Sequence, residues 1–341
     1  MSQLPPQPLP RSRAPLILGA LALILLASVV LWPGVMRDMA GFVLWSFVVI
    51  SPLVIPGILL AAWIIASGAD SAVARVFGAR PGRAIVAAAA IGAVTPVCGV
   101  TVLPLMAGLL AAGVPLAPVM AFWLSSPVTD PAMLATTAAM LGMSFAVGKT
   151  LGAFGLGLFG GAVTQVLSGR GWVSTPLRHN GIVGALVAGR RGCARPYLGA
   201  VWRDAERRAA FRDQAWATTR LMLICLTPAF AAEFLLNLWL DPGALAGVLG
   251  AQSVWAIPLS VTVGAPAYLD GYAALPLARG LMAHGMSPGA AMGFLVSGGV
   301  ISIWGAMAIL PVLRVKPFLL YLALAVIGSL LVAYAFEFAV A

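Results

Sequence analysis

The strongest constraint on the fold of this chain is a repeat hidden in its apolar sequence. At an offset of 172 residues, that between Leu103 and Leu275, residues 103–128 (LPLMAGLLAAGVPLAPVMAFWLSSPV) align without a gap on residues 275–300 (LPLARGLMAHGMSPGAAMGFLVSGGV). Eleven of the 26 positions are identical, including Leu-Pro-Leu, Gly108/Gly280, Gly113/Gly285, Phe122/Phe294 and Ser125/Ser297. Shared apolar composition inflates matches of Leu and Ala, but proline and glycine at fixed offsets are hard to obtain that way. Extended backwards, the register pairs Gly99 with Gly271 and Cys98 with Asp270. Two such copies predict two related halves.

Each copy follows a broken apolar run. In the first half, residues 92–104 interrupt the run with Thr95, Pro96, Cys98, Gly99 and Pro104. The flanking segments 84–95 and 99–112 are each shorter than the ~20 residues a membrane span needs, so they read as the limbs of a hairpin dipping into a bilayer. Irregular backbone at that depth is tolerated only where protein buries it or a watery cavity meets it. The break is therefore a candidate solute site.

Composition sets the class. The chain is 61% hydrophobic and 9% charged, whereas roughly a quarter of residues are charged in a soluble protein. Several apolar runs reach the length of a span, which predicts a polytopic membrane protein. The net charge of +10 is carried by arginines grouped in loops. That pattern points to cytoplasmic loops and anionic lipid contact, not to nucleic acid. Cys98, Cys193 and Cys225 lie far apart, which predicts neither a disulfide framework nor a zinc cluster.

In order, residues 1–15 form a cytoplasmic N-terminal tail and 16–38 an extra N-terminal span, ended by Trp32-Pro33-Gly34. A signal peptide has similar ingredients, but the apolar run is long for one and lacks a small-x-small cleavage site, so an uncleaved helix is favoured. Residues 39–167 form the first membrane repeat: a span over 39–66 with kinks at Pro52 and Pro56, the broken hairpin 84–112, a span over 116–142 and a glycine-rich span over 144–167. Residues 168–215 are a basic cytoplasmic linker. Within it, residues 201–214 read either as a basic amphipathic helix on the inner leaflet or as part of a solvated connection. Residues 216–341 form the second membrane repeat, with spans at 217–240, 288–311 and 318–339 and a second hairpin over 244–283.

Charge bias then sets topology. The links at 67–83 and 168–215 both belong in the cytoplasm. Both fall there only when 84–112 re-enters and leaves on the side it came from. Treating 244–283 alike puts Arg314 and Lys316 inside and the C-terminus outside. The expected fold is all-α, built from inverted repeats with about seven full spans and two re-entrant hairpins. In secondary transporters of this plan the site lies where interrupted segments of both halves meet. The topology leaves Lys149 on the outer side.

Candidate site residues are the polar groups of the breaks. In the first half they are Thr95, Pro96, Cys98, Gly99, Ser125, Ser126, Thr129 and Asp130. In the second they are Tyr268, Asp270, Tyr272, Ser297 and Ser302. An intramembrane carboxylate is expensive and normally faces a cavity or partner, which makes Asp130, Asp270 and Glu233 candidates for ion coupling. Capping of a half-helix competes with that role for Asp130 and Asp270, and an interfacial pairing competes for Glu233. Cys98 offers a thiol to a soft metal, metalloid or sulfur compound, against an alternative as inert packing. Arg279 either meets an anion or snorkels to the surface. His179 and His284 have no metal-ligand neighbours. The sequence holds no HExxH and no GxxxxGK[ST] motif, so neither an enzyme nor an ATPase is expected.

At these residues the chain resembles the ArsP-like family of predicted permeases, which includes organoarsenical efflux permeases. The likeness rests on Thr95-Pro96-Val97-Cys98-Gly99, Leu103-Pro104-Leu105, Gly113, and Phe122 through Ser125-Ser126-Pro127-Val128-Thr129-Asp130-Pro131. It recurs in Ala274-Leu275-Pro276-Leu277, Gly285-Met286-Ser287-Pro288-Gly289-Ala290-Ala291 and Phe294-Leu295. The family pattern T-P-x-C-x-C keeps its first cysteine here as Cys98, while Val100 replaces the second. Asp130 stands where asparagine is usual, and Asp270 replaces a cysteine-containing tip. Paired thiols suit a soft metalloid better than one, so the resemblance implies a permease without implying trivalent arsenic as its solute. The added carboxylates point instead to a cationic solute or proton coupling.

The expected function is a secondary-type permease of the cytoplasmic membrane that moves a small solute by alternating access and needs no cofactor. Its expected partners are membrane lipids and the solute, with homo-oligomers left open. The competing expectation is a non-catalytic membrane subunit or scaffold that uses the basic linker to engage a soluble partner.

Overall fold

The computed structural model describes residues 31–68, 81–95, 102–111, 113–129, 131–178, 183, 198–239, 255–267, 271–301, 309–310 and 312–340. These residues are all-helical. The helices are α1 (Pro33–Ser67), α2 (Pro81–Val94), α3 (Val102–Ala111), α4 (Leu116–Ser125), α5 (Pro131–Leu141) and α6 (Met143–Val166), followed by α7 (Ala205–Trp239), α8 (Ala256–Ala267), α9 (Gly271–Ala283), α10 (Pro288–Val300) and α11 (Val315–Val340). Among the described residues, three segments are long and apolar enough to cross a membrane: residues 33–52 of α1, α6 and α11.

The 172-residue offset reaches well beyond the segment in which the sequence displays it. It carries both ends of α1 onto the ends of α7, each 35 residues long, and carries Pro56 inside α1 onto Pro228 inside α7. It maps α4 onto α10 and α6 onto α11 to within a few residues at their C-terminal ends. The helical turn that closes α3 recurs bond for bond. Gly113 N–H donates to the Leu110 carbonyl and Val114 N–H to that of Leu109, while Gly285 donates to Met282 and Met286 to Leu281. This is the double bond of a Schellman cap, whose left-handed residue favours glycine; Gly113 has φ +85° and Gly285 φ +97°.

Equivalent helices cross each other antiparallel. On α6 and α11, a side chain at Gly152 would strike Val332 and one at Gly148 would strike Phe336. Leu156 meets Gly328, which is its own equivalent under the offset. On α1 and α7, Phe42 packs on Phe234 at 5.7 Å and Phe47 edge-on against Phe230 at 5.2 Å. Within each half the glycines of the packing faces let backbones approach, as membrane helices require. Gly157 fits against the Ala121 carbonyl and Ala89, and Gly161 against Ile85 and Ala121. Those contacts run α2 and α4 side by side in one direction and α6 in the other.

Two clasps draw the basic segments together. Arg207, 5% exposed, donates from Nη1 to the Ser67 carbonyl at 2.9 Å at the C-terminal end of α1, where its charge also suits the helix dipole. Leu198 N–H donates to the same carbonyl, and Trp63 Nε1 donates to Gly199. Beyond α6, Leu177 bridges Leu313, Arg178 Nε donates to the Leu313 carbonyl at 2.6 Å, and Arg314 Nη1 donates to Thr175 Oγ1 at 3.0 Å.

Two boundaries differ from those read in the sequence. Leu31 is helical and Trp32 is not, so a helix stops at Trp32 as read, and Pro33 then opens α1, because a proline lacking its N–H is well placed in the first turn. Residues 33–38 therefore belong to α1. Residues 205–214 are also continuous with the apolar stretch that follows, forming the single helix α7.

Candidate solute site at the crossing of two broken helices

The α2/α4 crossing brings the first break into register. A side chain at Gly92 would lie 2.7 Å from the Phe122 carbonyl and overlap Ser125 Oγ. The second half repeats this contact: one at Gly264 would lie 2.5 Å from Ser297 Oγ and 2.7 Å from the Phe294 carbonyl. Both serines are fully buried and turn back on their own helices. Ser125 Oγ donates toward the Ala121 and Phe122 carbonyls at 2.9 and 3.1 Å, and Ser297 Oγ toward Phe294 at 3.3 Å. In this conformation they are packing groups at the helix crossings.

Past Ser125, α4 tightens into a 3-10 turn over Ser126–Val128, and Thr129 is extended at φ −138°, ψ 138°. Thr129 Oγ1 donates to the Ala93 carbonyl at 2.6 Å, which ties this break to the end of α2. Thr95 closes that end by donating from Oγ1 to Ile91 at 2.5 Å. The break then meets its counterpart: a side chain at Gly299 would lie 3.0 Å from the Pro127 carbonyl. Pro127 and Gly299 are equivalents under the offset, so the two halves touch here at matching positions. Thr95, Ser125, Ser126, Thr129 and Ser297 thus gather around one junction.

Beside it stand two groups that the sequence did not single out. Trp123, one turn before the break, stacks on Tyr321 of α11 with centroids 4.1 Å apart and planes within 9°. The Tyr321 hydroxyl donates to the Val300 carbonyl at the end of α10. The first-half equivalent of Tyr321 is Lys149, which is 2% exposed, with Nζ 2.9 Å from Met133 Sδ in the first turn of α5. Its side chain is turned into the protein where α5 packs against α6. A polar residue at the seventh position of both equivalent helices is the signal that would have found this pair.

Pro96, Cys98, Gly99, Asp130, Tyr268, Asp270 and Ser302 lie outside the described residues. Tyr272 is the second residue of α9 and Glu233 lies near the end of α7; neither side chain is among those described. Arg279 is exposed, and so is His284, whose Nδ1 lies 2.7 Å from the Gly280 carbonyl. No group of three or more His, Cys, Asp or Glu is placed to hold a metal among the described residues.

The fold is all-helical, built from two copies of one plan, with three segments long and apolar enough to cross a membrane among the described residues. A family model described as a predicted permease, ArsP_1, matches residues 37–338, and the chain belongs to that family. No curated protein and no solved structure matches it.

Proposed function

We propose that the protein is a secondary-type permease of the cytoplasmic membrane that moves a small solute by alternating access of two inverted halves. The observation that carries this reading is the contact of the two broken helices at Pro127 and Gly299. Interrupted segments meeting between repeats of opposite orientation are the usual place for a solute and its coupling ion. The antiparallel crossings of α1 with α7 and α6 with α11 support the inverted arrangement. In this reading α2–α3 and α8–α9 are re-entrant hairpins. The 14 residues of α2 rise only about 21 Å, short of the ~30 Å hydrocarbon layer. The clasped basic segments mark the cytoplasmic end, as loop charge favours. The solute is a metal, metalloid or sulfur compound, with Cys98 as a soft contact and Asp130, Asp270 and Glu233 as candidates for proton coupling.

The test is uptake and efflux of such compounds in vesicles carrying the wild type or Asp270→Asn, with and without an imposed proton gradient. Gradient-driven flux that the substitution abolishes is expected. Flux unchanged in Asp270→Asn removes that carboxylate from the mechanism, and a lack of flux for every compound leaves the scaffold reading.

A further inference from the structure

The two halves treat the ends of their paired helices differently. α8 and α10 run side by side in one direction: a side chain at Gly293 would lie 3.2 Å from Ser260 Oγ, and one at Gly264 would lie 2.5 Å from Ser297 Oγ. Their last residues, Ala267 and Val300, each follow that second contact by three positions, so the two C-terminal ends come together. A side chain at Gly298 would lie 3.2 Å from the Gly264 carbonyl. In the first half α2 and α4 end together in the same way. There two hydroxyls donate into carbonyls at the end of α2, Thr95 to Ile91 and Thr129 to Ala93. Under the 172-residue offset their equivalents are Ala267 and Ile301, which carry no side-chain donor.

A hydroxyl is gained at the same place. Ser329 on α11 stands where the first half has Gly157. A side chain at Gly157 would lie 2.9 Å from Ser125 Cβ, and one at Gly161 would lie 2.9 Å from Ala121 Cβ. The second of these contacts recurs between its equivalents, since a side chain at Gly293 would lie 3.0 Å from Ala333 Cβ. The first therefore sets Ser329 against Ser297, one turn further along α10. Ser329 is fully buried, and its Oγ has no hydrogen-bond partner among the described residues. A buried hydroxyl left unmet is costly, and buried polar groups are normally satisfied. Ser297 Oγ donates to the Phe294 carbonyl and keeps its lone pairs.

The charge at this place suits one class of ligand. The C-terminal end of a helix carries roughly half a negative charge, so two joined ends balance one positive charge. Hydroxyl and carbonyl oxygens are hard ligands, and the close approach of α8 to α10 favours a small ion. We propose that Ser297 and Ser329, at the joined C-terminal ends of α8 and α10, bind a sodium ion. This rests on the permease reading and adds a coupling ion to it, because helix ends of this kind hold the coupling ions of transporters built from inverted repeats.

The experiment uses the full-length protein in detergent and follows thermal stability in sodium chloride, against potassium chloride and choline chloride at equal ionic strength. The variants are Ser329→Ala, Ser329→Cys, Ser297→Ala and, on the exposed face of α8, Thr262→Val. Sodium is expected to raise the melting temperature of wild type and Thr262→Val more than potassium or choline does. Its apparent affinity should fall roughly tenfold or more in Ser329→Ala and in Ser297→Ala, the size of one lost contact to a charged group. In choline alone Ser329→Ala should melt no lower than wild type, because its hydroxyl has no bond to lose there. No sodium-specific shift in wild type, or an equal shift in the Ser329 and Ser297 variants, overturns the proposal. So does a loss of stability in Ser329→Ala that is the same in choline and in sodium, which would make the hydroxyl a packing group only. Where Ser329→Ala does not accumulate, Ser329→Cys decides, because it keeps the volume and offers a soft sulfur that a hard cation binds poorly. Flux of zinc, arsenite or thiosulfate in proteoliposomes separates this inference from the permease reading. Ser329-dependent sodium binding without flux of any of them keeps the site and sinks the permease reading; flux that is indifferent to sodium, with no sodium-specific shift, does the reverse.

Discussion

Gly92→Ala is the substitution whose outcome the packing specifies most sharply. In an open helical position the change from glycine to alanine stabilises by up to about 1 kcal/mol. Gly155 in α6 and Gly280 in α9 are such positions, with nothing within 4 Å of an added methyl. At Gly92 the methyl overlaps Ser125 Oγ and lies 2.7 Å from the Phe122 carbonyl and 3.2 Å from its Cα. The hydroxyl can rotate away, but the backbone of α4 moves only if α4 slides against α6 as well. Overpacking of this kind costs roughly 1–3 kcal/mol. Gly92→Ala and Gly264→Ala should therefore lie roughly 2–4 kcal/mol below Gly155→Ala and Gly280→Ala, read as a rank order of melting temperatures in one detergent. Adding Ser125→Ala to Gly92→Ala should restore only part of the loss, because the Phe122 carbonyl remains. A Gly92→Ala protein that melts at or above the wild type would refute the reasoning. So would full rescue by Ser125→Ala, which would show that the hydroxyl and not the backbone sets the approach.

Two further substitutions test the clasp and the junction. Arg207→Ala removes a charge-assisted bond to the Ser67 carbonyl, worth about 1.5–3 kcal/mol; faster tryptic cleavage around residues 198–208 is expected, and an unchanged digestion pattern would show that the clasp does not hold the linker. Tyr321→Phe keeps the stack on Trp123 but leaves the Val300 carbonyl without its donor, so it should lower stability by about 1–3 kcal/mol, and an unaltered melt would mean that water replaces the hydroxyl.

Much of the architecture was legible because hydropathy, glycine and proline act locally. The run lengths around residues 92–104 announce a broken segment, and the glycine-proline register announces a repeat. Gly113 and Gly285 can be read as turns from the sequence because their left-handed backbone selects for glycine. The polar breaks at Ser125 and Ser297 were visible for the same reason, although their hydroxyls proved to be bonded to their own helices. Helix ends were less legible. Trp32-Pro33-Gly34 reads equally well as a stop or a start, and only the chain before or after it decides.

The class of protein, the twofold repetition and the positions of the breaks were thus set by the sequence alone, since each depends on residues a few places apart. Which groups meet at the junction was decided only in three dimensions. The contact of Pro127 with Gly299 and the stack of Trp123 on Tyr321 join residues from opposite halves of the chain, and no local pattern encodes them. Lys149 shows the division most clearly. In the sequence it is a lone cation near the end of an apolar span, where it can reach water. In the fold its side chain is turned into the protein where α5 packs against α6, and the ammonium is buried.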